Sequence, residues 1–194
     1  MWDEKYSTDE YIYGTEPNDF LLECMEQIPQ GRVLCLADGE GRNSVALARA
    51  GYQVTAVDSS IVGVGKASRL AADNDVEVEY IHADLAEYAI VEGEWAGIIS
   101  IFCHVHPDIR NSLHQAIVAG LQPGGVLVLE AYTPEQLGMG TGGPPVAELT
   151  MQQSQLEQDF EVLDILHVRE LQREVVEGTH HTGMGAVVQL LARK

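Results

Sequence analysis

From Arg32 onward, short apolar runs alternate with stretches in which apolar residues recur at helical spacing. The runs at residues 32–36, 53–57, 78–82, 95–101 and 126–129 have the length and composition of strands covered on both faces. Between them, residues 43–50, 61–74 and 107–120 read as helices. Gly51 closes the first of these, Gly63 and Gly65 weaken the opening turns of the second, and the third starts on Pro107 and stops at Gly120. Pro123-Gly124-Gly125 predicts a turn before the fifth strand. After a loop rich in glycine and proline at 134–145, the pattern predicts a polar helix over 150–158 and a long strand over 160–176. A connection then begins at Glu177-Gly178, and a last strand covers 186–191.

Alternation of this kind builds a doubly wound α/β/α sandwich with helices on both faces of a parallel sheet. The closing hairpin adds an antiparallel last strand, making the sheet mixed and seven-stranded, because a short loop joins only antiparallel neighbours. Residues 1–30 precede the alternation and are expected as a cap or lid with a helix near 18–27, on a core of 31–194 that together form one domain.

Composition narrows the functional classes. Thirty acidic residues against 11 basic ones give a formal charge of −19, a field that repels nucleic acid and anionic lipid. No apolar stretch reaches the roughly 18 residues of a membrane span. The N-terminus is too acidic for a secretory signal, and Cys24, Cys35 and Cys103 are few and scattered, so a cytoplasmic protein with reduced thiols is expected.

In an open α/β sheet the ligand lies beyond the carboxyl ends of the strands. The loop from Ala37 through Asp38, Gly39, Glu40, Gly41 and Arg42 to Asn43 is the first candidate there. Gly39 and Gly41 permit backbone angles closed to other residues, and the helix that follows offers unpaired amides to a carboxylate or phosphate. Asp58, with Ser59 beside it, ends the second strand about twenty residues on, where an acid grips ribose hydroxyls. These pieces together predict a nucleoside ligand. Ser44 stands where the dinucleotide fingerprint wants glycine or alanine, which disfavours a nicotinamide cofactor.

The Leu121-Gln122-Pro123-Gly124-Gly125 turn and the final hairpin resemble the Rossmann-like class I methyltransferases over nearly the whole chain. Within that class the sequence resembles the small tellurite-resistance and thiopurine types. The resemblance is carried by Trp2, Lys5-Tyr6, Tyr13-Gly14-Thr15-Glu16-Pro17-Asn18, Gly39-Glu40-Gly41-Arg42-Asn43-Ser44, Val57-Asp58, Ala83-Asp84-Leu85 and Phe102-Cys103-His104. It implies S-adenosylmethionine as methyl donor, with Tyr13 and Gly14 near its amino-acid part, Asp58 on the ribose, Asp84 and Leu85 beside adenine, and Phe102 and His104 lining the site. The sequence departs from the class at Cys35, where an acid is usual, and at Ala37, where glycine is usual; Asp38 offers a substitute charge.

Methyl transfer from a sulfonium is a direct displacement in which alignment and desolvation dominate. No side chain is assigned as the catalyst; His104 and His181 are the candidates, with His180 beside the latter in the hairpin. Glu130 and Tyr132 reach the ligand edge, Glu130 either shaping an acceptor pocket or serving as an ordinary strand-end carboxylate. Cys103-His104-Val105-His106 lacks a second cluster at metal spacing, so no metal is expected. The expected acceptor is a small thiol, chalcogen oxyanion, amine or oxygen nucleophile, and the expected assembly a monomer or homodimer. The alternatives are a non-catalytic S-adenosylmethionine binder and a nicotinamide-dependent oxidoreductase.

Overall fold

A computed structural model of the chain describes residues 1–179 and 181–194. A seven-stranded sheet runs in the order β3-β2-β1-β4-β5-β7-β6. Its strands are β1 (Arg32–Leu36), β2 (Gln53–Asp58), β3 (Val78–His82), β4 (Trp95–Ile101), β5 (Leu121–Tyr132), β6 (Asp164–Glu177) and β7 (His181–Arg193). The first five pair in parallel, and β7 pairs antiparallel with both β5 and β6. The helices are α1 (Trp2–Tyr6), α2 (Asp19–Cys24), α3 (Arg42–Arg49), α4 (Ile61–Asp73), α5 (Pro107–Gly120) and α6 (Gln153–Asp159).

Alternate strand residues feed two cores, as the period-two geometry of a strand requires. Leu34, Leu36, Ile98, Leu127 and Leu129 face α5 and α6, meeting Leu113, Ile117, Leu156 and Phe160. Val33, Cys35, Ile99, Val126 and Val128 point the other way, against Phe20 and Leu21 of α2 and Leu47 of α3. Each such aliphatic side chain, fully buried, contributes about 1.5–3 kcal/mol. α2 and Ile28 belong to this second core, so of the 1–30 segment only the stretch before α2 lies across the carboxyl edge of the sheet.

Several boundaries differ from expectation for tertiary reasons. β5 begins at Leu121, which pairs with Trp95; the chain bulges through Pro123-Gly124-Gly125 and resumes at Val126 opposite Gly97. β6 starts only at Asp164, because Phe160 and Leu163 close turns on Leu156 and Phe160. β7 extends well past 186–191 at both ends through its long ladder with β6. The cap helix is shorter, α2 giving way to a 3-10 turn at Met25–Gln27, and α1 has no counterpart in the sequence pattern. Asn18 caps α2, its side chain accepting from the Leu21 amide. Among the described residues no helix is long and apolar enough to cross a membrane.

Candidate functional site

A cavity of about 500 Å³ opens at the carboxyl ends of β1, β2 and β4. Its lining includes Tyr13, Gly14, Ala37, Asp38, Gly39, Arg42, Asn43, Asp58, Ser59, Asp84, Leu85, Phe102, His104 and His181, all read from the sequence. Gly41, read as part of the same loop, does not line it. Gly41 caps α3 with φ +94°, and a Cβ there would meet Ala67 of α4 at 2.7 Å. That glycine serves helix-to-helix packing, while Gly39 supplies the close approach on the ligand side.

The turns out of β1 and β4 are strained. Ala37 has φ +50° and Phe102 φ +52°, a left-handed conformation that costs L-residues about 1–2 kcal/mol each. Both residues line the cavity, and the Phe102 amide is held by the Glu130 carbonyl at 2.7 Å. Ala37 therefore occupies a backbone conformation that suits the glycine usual in the class.

The acidic wall is built from backbone outward. Asp58 accepts from the Gly39 and Ser60 amides, each at 2.8 Å; burial pushes its pKa up and these hydrogen bonds oppose that. Asp38 accepts from the Ser44 hydroxyl at 2.5 Å and the Ser44 amide at 3.3 Å, holding the first turn of α3. Burial, reinforced by Asp58, pushes Asp38 up to about 6 against those hydrogen bonds. Cys35 is buried in the core and does not line the cavity, whereas Asp38 in the loop that follows does. Glu40 pairs with Lys66 at 2.5 Å and accepts from the Tyr13 amide at 3.3 Å.

The opposite wall is aromatic and neutral in character. His181 packs its ring 4.4 Å from Tyr13, 5.1 Å from Phe102 and 5.4 Å from Tyr132, centroid to centroid. Burial lowers its pKa, and Glu177 at 3.7 Å opposes that. His104 lies 2.9 Å from the Leu149 carbonyl through Nδ1 and accepts the Tyr132 amide through Nε2, at 3.3 Å. Burial pulls its pKa down to about 4. With both nitrogens held by backbone, His104 is a wall that fixes the loop around Leu149, and it has no free lone pair for a proton. Cys103 is buried and its thiol pushed up to about 12 by desolvation, so it is inert. His106 caps α5 through its ring. His180 lies outside the described residues.

Glu130 does not shape the cavity. It is fully buried and held by Arg173 at 2.8 and 2.7 Å, Gln189 at 2.8 Å and Asn18 at 2.6 Å. Glu177 extends this network to Asn18 at 2.8 Å and Arg42 at 2.6 Å, and Asn43 binds the Asn18 amide. The segment before α2 is thereby tied to the sheet and to the glycine loop. Sequence reasoning missed this network and Lys66. For Lys66 a signal existed: a lysine beside Ala67 on the buried face of α4, with Leu70 and Ala71, needs partners.

Residues 33–125 match the methyltransferase domain family. Over 107 residues the chain is 32% identical to a carboxy-S-adenosyl-L-methionine synthase of Aeromonas hydrophila, covering 52% of this chain and 43% of that protein. The chain spans less than half the length of the curated relatives it matches. Among solved structures it is similar to one described for the conversion of a disulfide bond into a thioacetal group during echinomycin biosynthesis (TM-score 0.78, 19% identity, 99% of this chain and 87% of that one). It is also similar to TehB from Haemophilus influenzae (TM-score 0.75, 19% identity, 100% of this chain and 65% of that one). Residues 33–125 thus match a methyltransferase domain, and the chain as a whole shares the fold of TehB.

Proposed function

We propose that this protein transfers the methyl group of S-adenosylmethionine to a small nucleophile. The observation that carries the reading is the division of one cavity into an acidic wall and an aromatic one. Asp38, Asp58 and Asp84 line the first against Lys5, while Glu40 and Arg42, which also line it, are neutralised by Lys66 and Glu177. Such a wall suits a ligand bearing a sulfonium and an ammonium, and it opposes the diphosphate of a dinucleotide. When bound, S-adenosylmethionine supplies an electrophilic methyl group on sulfur.

The chain's own residues then have separable tasks. Asp58 keeps lone pairs for ribose hydroxyls beyond those used by the Gly39 and Ser60 amides. Asp84 and Leu85 flank the base, and Tyr13, Gly14 and Gly39 border the amino-acid part. Phe102, Val105, Pro144, Pro145 and Leu149 form an apolar wall that keeps water from the transferring carbon. The acceptor's lone pair forms the new bond as the sulfur–carbon pair returns to sulfur, so alignment and dryness contribute more than a base. A thiol, chalcogen, amine or oxygen acceptor of small size fits this wall.

Calorimetry with S-adenosylmethionine, S-adenosylhomocysteine, NAD and NADP on the natural protein and Asp58→Ala tests the reading. Only the sulfur ligands should bind, and the variant should weaken them at least tenfold (about 1.4 kcal/mol). Turnover of thiol, chalcogen and amine acceptors, followed as S-adenosylhomocysteine release, then separates an enzyme from a binder. Binding of a nicotinamide cofactor in place of the sulfur ligands would overturn the proposal.

A further inference from the structure

The segment before α2 lines the cavity through Met1, Trp2, Lys5, Tyr6, Tyr13 and Gly14, yet most of it has no regular structure of its own. Its ends are fixed by ordinary contacts. Asp3 binds the Ser60 hydroxyl at 2.5 Å and the Val62 amide at 3.3 Å, and the Ile12 carbonyl accepts the Thr179 amide at 3.0 Å. In the middle, Tyr6 packs against Gly39 and Gly63, and the backbone carbonyls of residues 6–10 converge on one side chain from α4. Lys66 Nζ donates to the carbonyls of Tyr6 at 3.4 Å, Thr8 at 3.0 Å and Glu10 at 2.6 Å. The same ammonium sits 5.0 Å from the centre of the Tyr11 ring, whose hydroxyl donates back to the Lys66 carbonyl at 3.1 Å.

Its counter-charge is Glu40 of the glycine loop, whose side chain is 1% exposed against 9% for that of Lys66. The other oxygen of Glu40 holds the Tyr13 amide. A buried ammonium persists only when paired and hydrogen-bonded, and here its partners are the segment on one side and the ligand loop on the other. One cation therefore couples the position of the N-terminal segment to the loop that the ligand touches.

We infer that Lys66 is the positioning residue that holds the N-terminal segment closed over the cavity, and that it thereby sets how long an adenosyl ligand is retained. This rests on the methyltransferase reading for the identity of the ligand; the latch itself does not. Glu40 transmits the hold, because losing Lys66 leaves its carboxylate buried with only the Tyr13 amide. Tyr6, whose hydroxyl lies against Gly39, then loses the anchor of its own carbonyl.

The test compares the natural protein with Lys66→Met and Lys66→Arg by two readouts. The first is the dissociation rate of S-adenosylhomocysteine, chased by excess S-adenosylmethionine. The second is backbone hydrogen exchange in ligand-free protein, comparing residues 2–14 with β4 and β5. Lys66→Met should release S-adenosylhomocysteine at least ten times faster, about 1.4 kcal/mol if association is unchanged. Exchange should rise across residues 2–14 and stay unchanged in the two central strands. Lys66→Arg, which keeps charge and donors, should recover most of both. An unchanged release rate and exchange, or exchange raised equally in β4 and β5, overturns the inference. If the natural protein binds no S-adenosylhomocysteine, the functional reading fails and exchange alone decides the latch. Should Lys66→Met not fold, Lys66→Gln replaces it with the same expected outcomes.

Discussion

Replacing Arg173 by methionine removes one half of the buried pair with Glu130. The guanidinium makes two hydrogen bonds to that carboxylate, at 2.8 and 2.7 Å, and the carboxylate itself has no exposure to solvent. After the substitution only two neutral donors remain, Asn18 and Gln189. Breaking a buried pair by removing one partner costs about 3–5 kcal/mol, because the other charge is stranded. Total stabilities of about 5–15 kcal/mol make that loss large. Urea unfolding at pH 7 should place Arg173→Met about 3–5 kcal/mol below the natural protein. Adding Glu130→Gln should return at least about 1.5 kcal/mol, since the pair couples. A loss under about 1 kcal/mol would refute this account of the network.

Two further outcomes follow from the site. Asp38, raised from 3.8 to about 6, contributes stability that is present below 3.8 and lost as pH rises through about 6. A cationic ligand favours its ionised form, so binding at pH 6 should release protons; calorimetric heats that do not vary with buffer ionisation enthalpy would contradict this. Gly178 has φ +66°, and a Cβ on it would lie 2.3 Å from the Ile12 carbonyl oxygen and 2.5 Å from the Gly14 nitrogen. Gly178→Ala should therefore lift the hairpin off the N-terminal segment, lower stability by about 1–3 kcal/mol and weaken S-adenosylmethionine binding, both absent if the contact is dispensable.

Where local signals are strong, sequence and structure coincide: β1, β3, β4 and α5 have the bounds that apolar runs and proline or glycine stops predict. The antiparallel direction of β7 also follows from the closing hairpin, whereas its insertion between β5 and β6 has no local signal. The start of β5 was illegible because Pro123-Gly124-Gly125 is locally a turn, and only Trp95 across the sheet makes Leu121 a strand residue. α1 is five residues long and stands on tertiary contacts through Asp3 and Tyr6. At the site, the strand, glycine loop and terminal Asp58 located the cavity, yet could not say which glycine faces it. Ala67, on another helix, decides that. The network of Asn18, Arg42, Glu130, Arg173 and Glu177 has no local signature, since Asn18 and Glu177 are 159 positions apart.

That separation has a consequence for synthesis. At about 5–20 residues per second, Asn18 waits roughly 8–30 s for Glu177, and Ile12 waits about as long for the Thr179 amide. β1 to β5, with the glycine loop and Asp58, can assemble on the ribosome while the N-terminal segment still lacks its dock on the hairpin. From the emergence of β4 until that of the last hairpin, the cover of the acidic cleft thus rests on its contacts with α4 and the glycine loop.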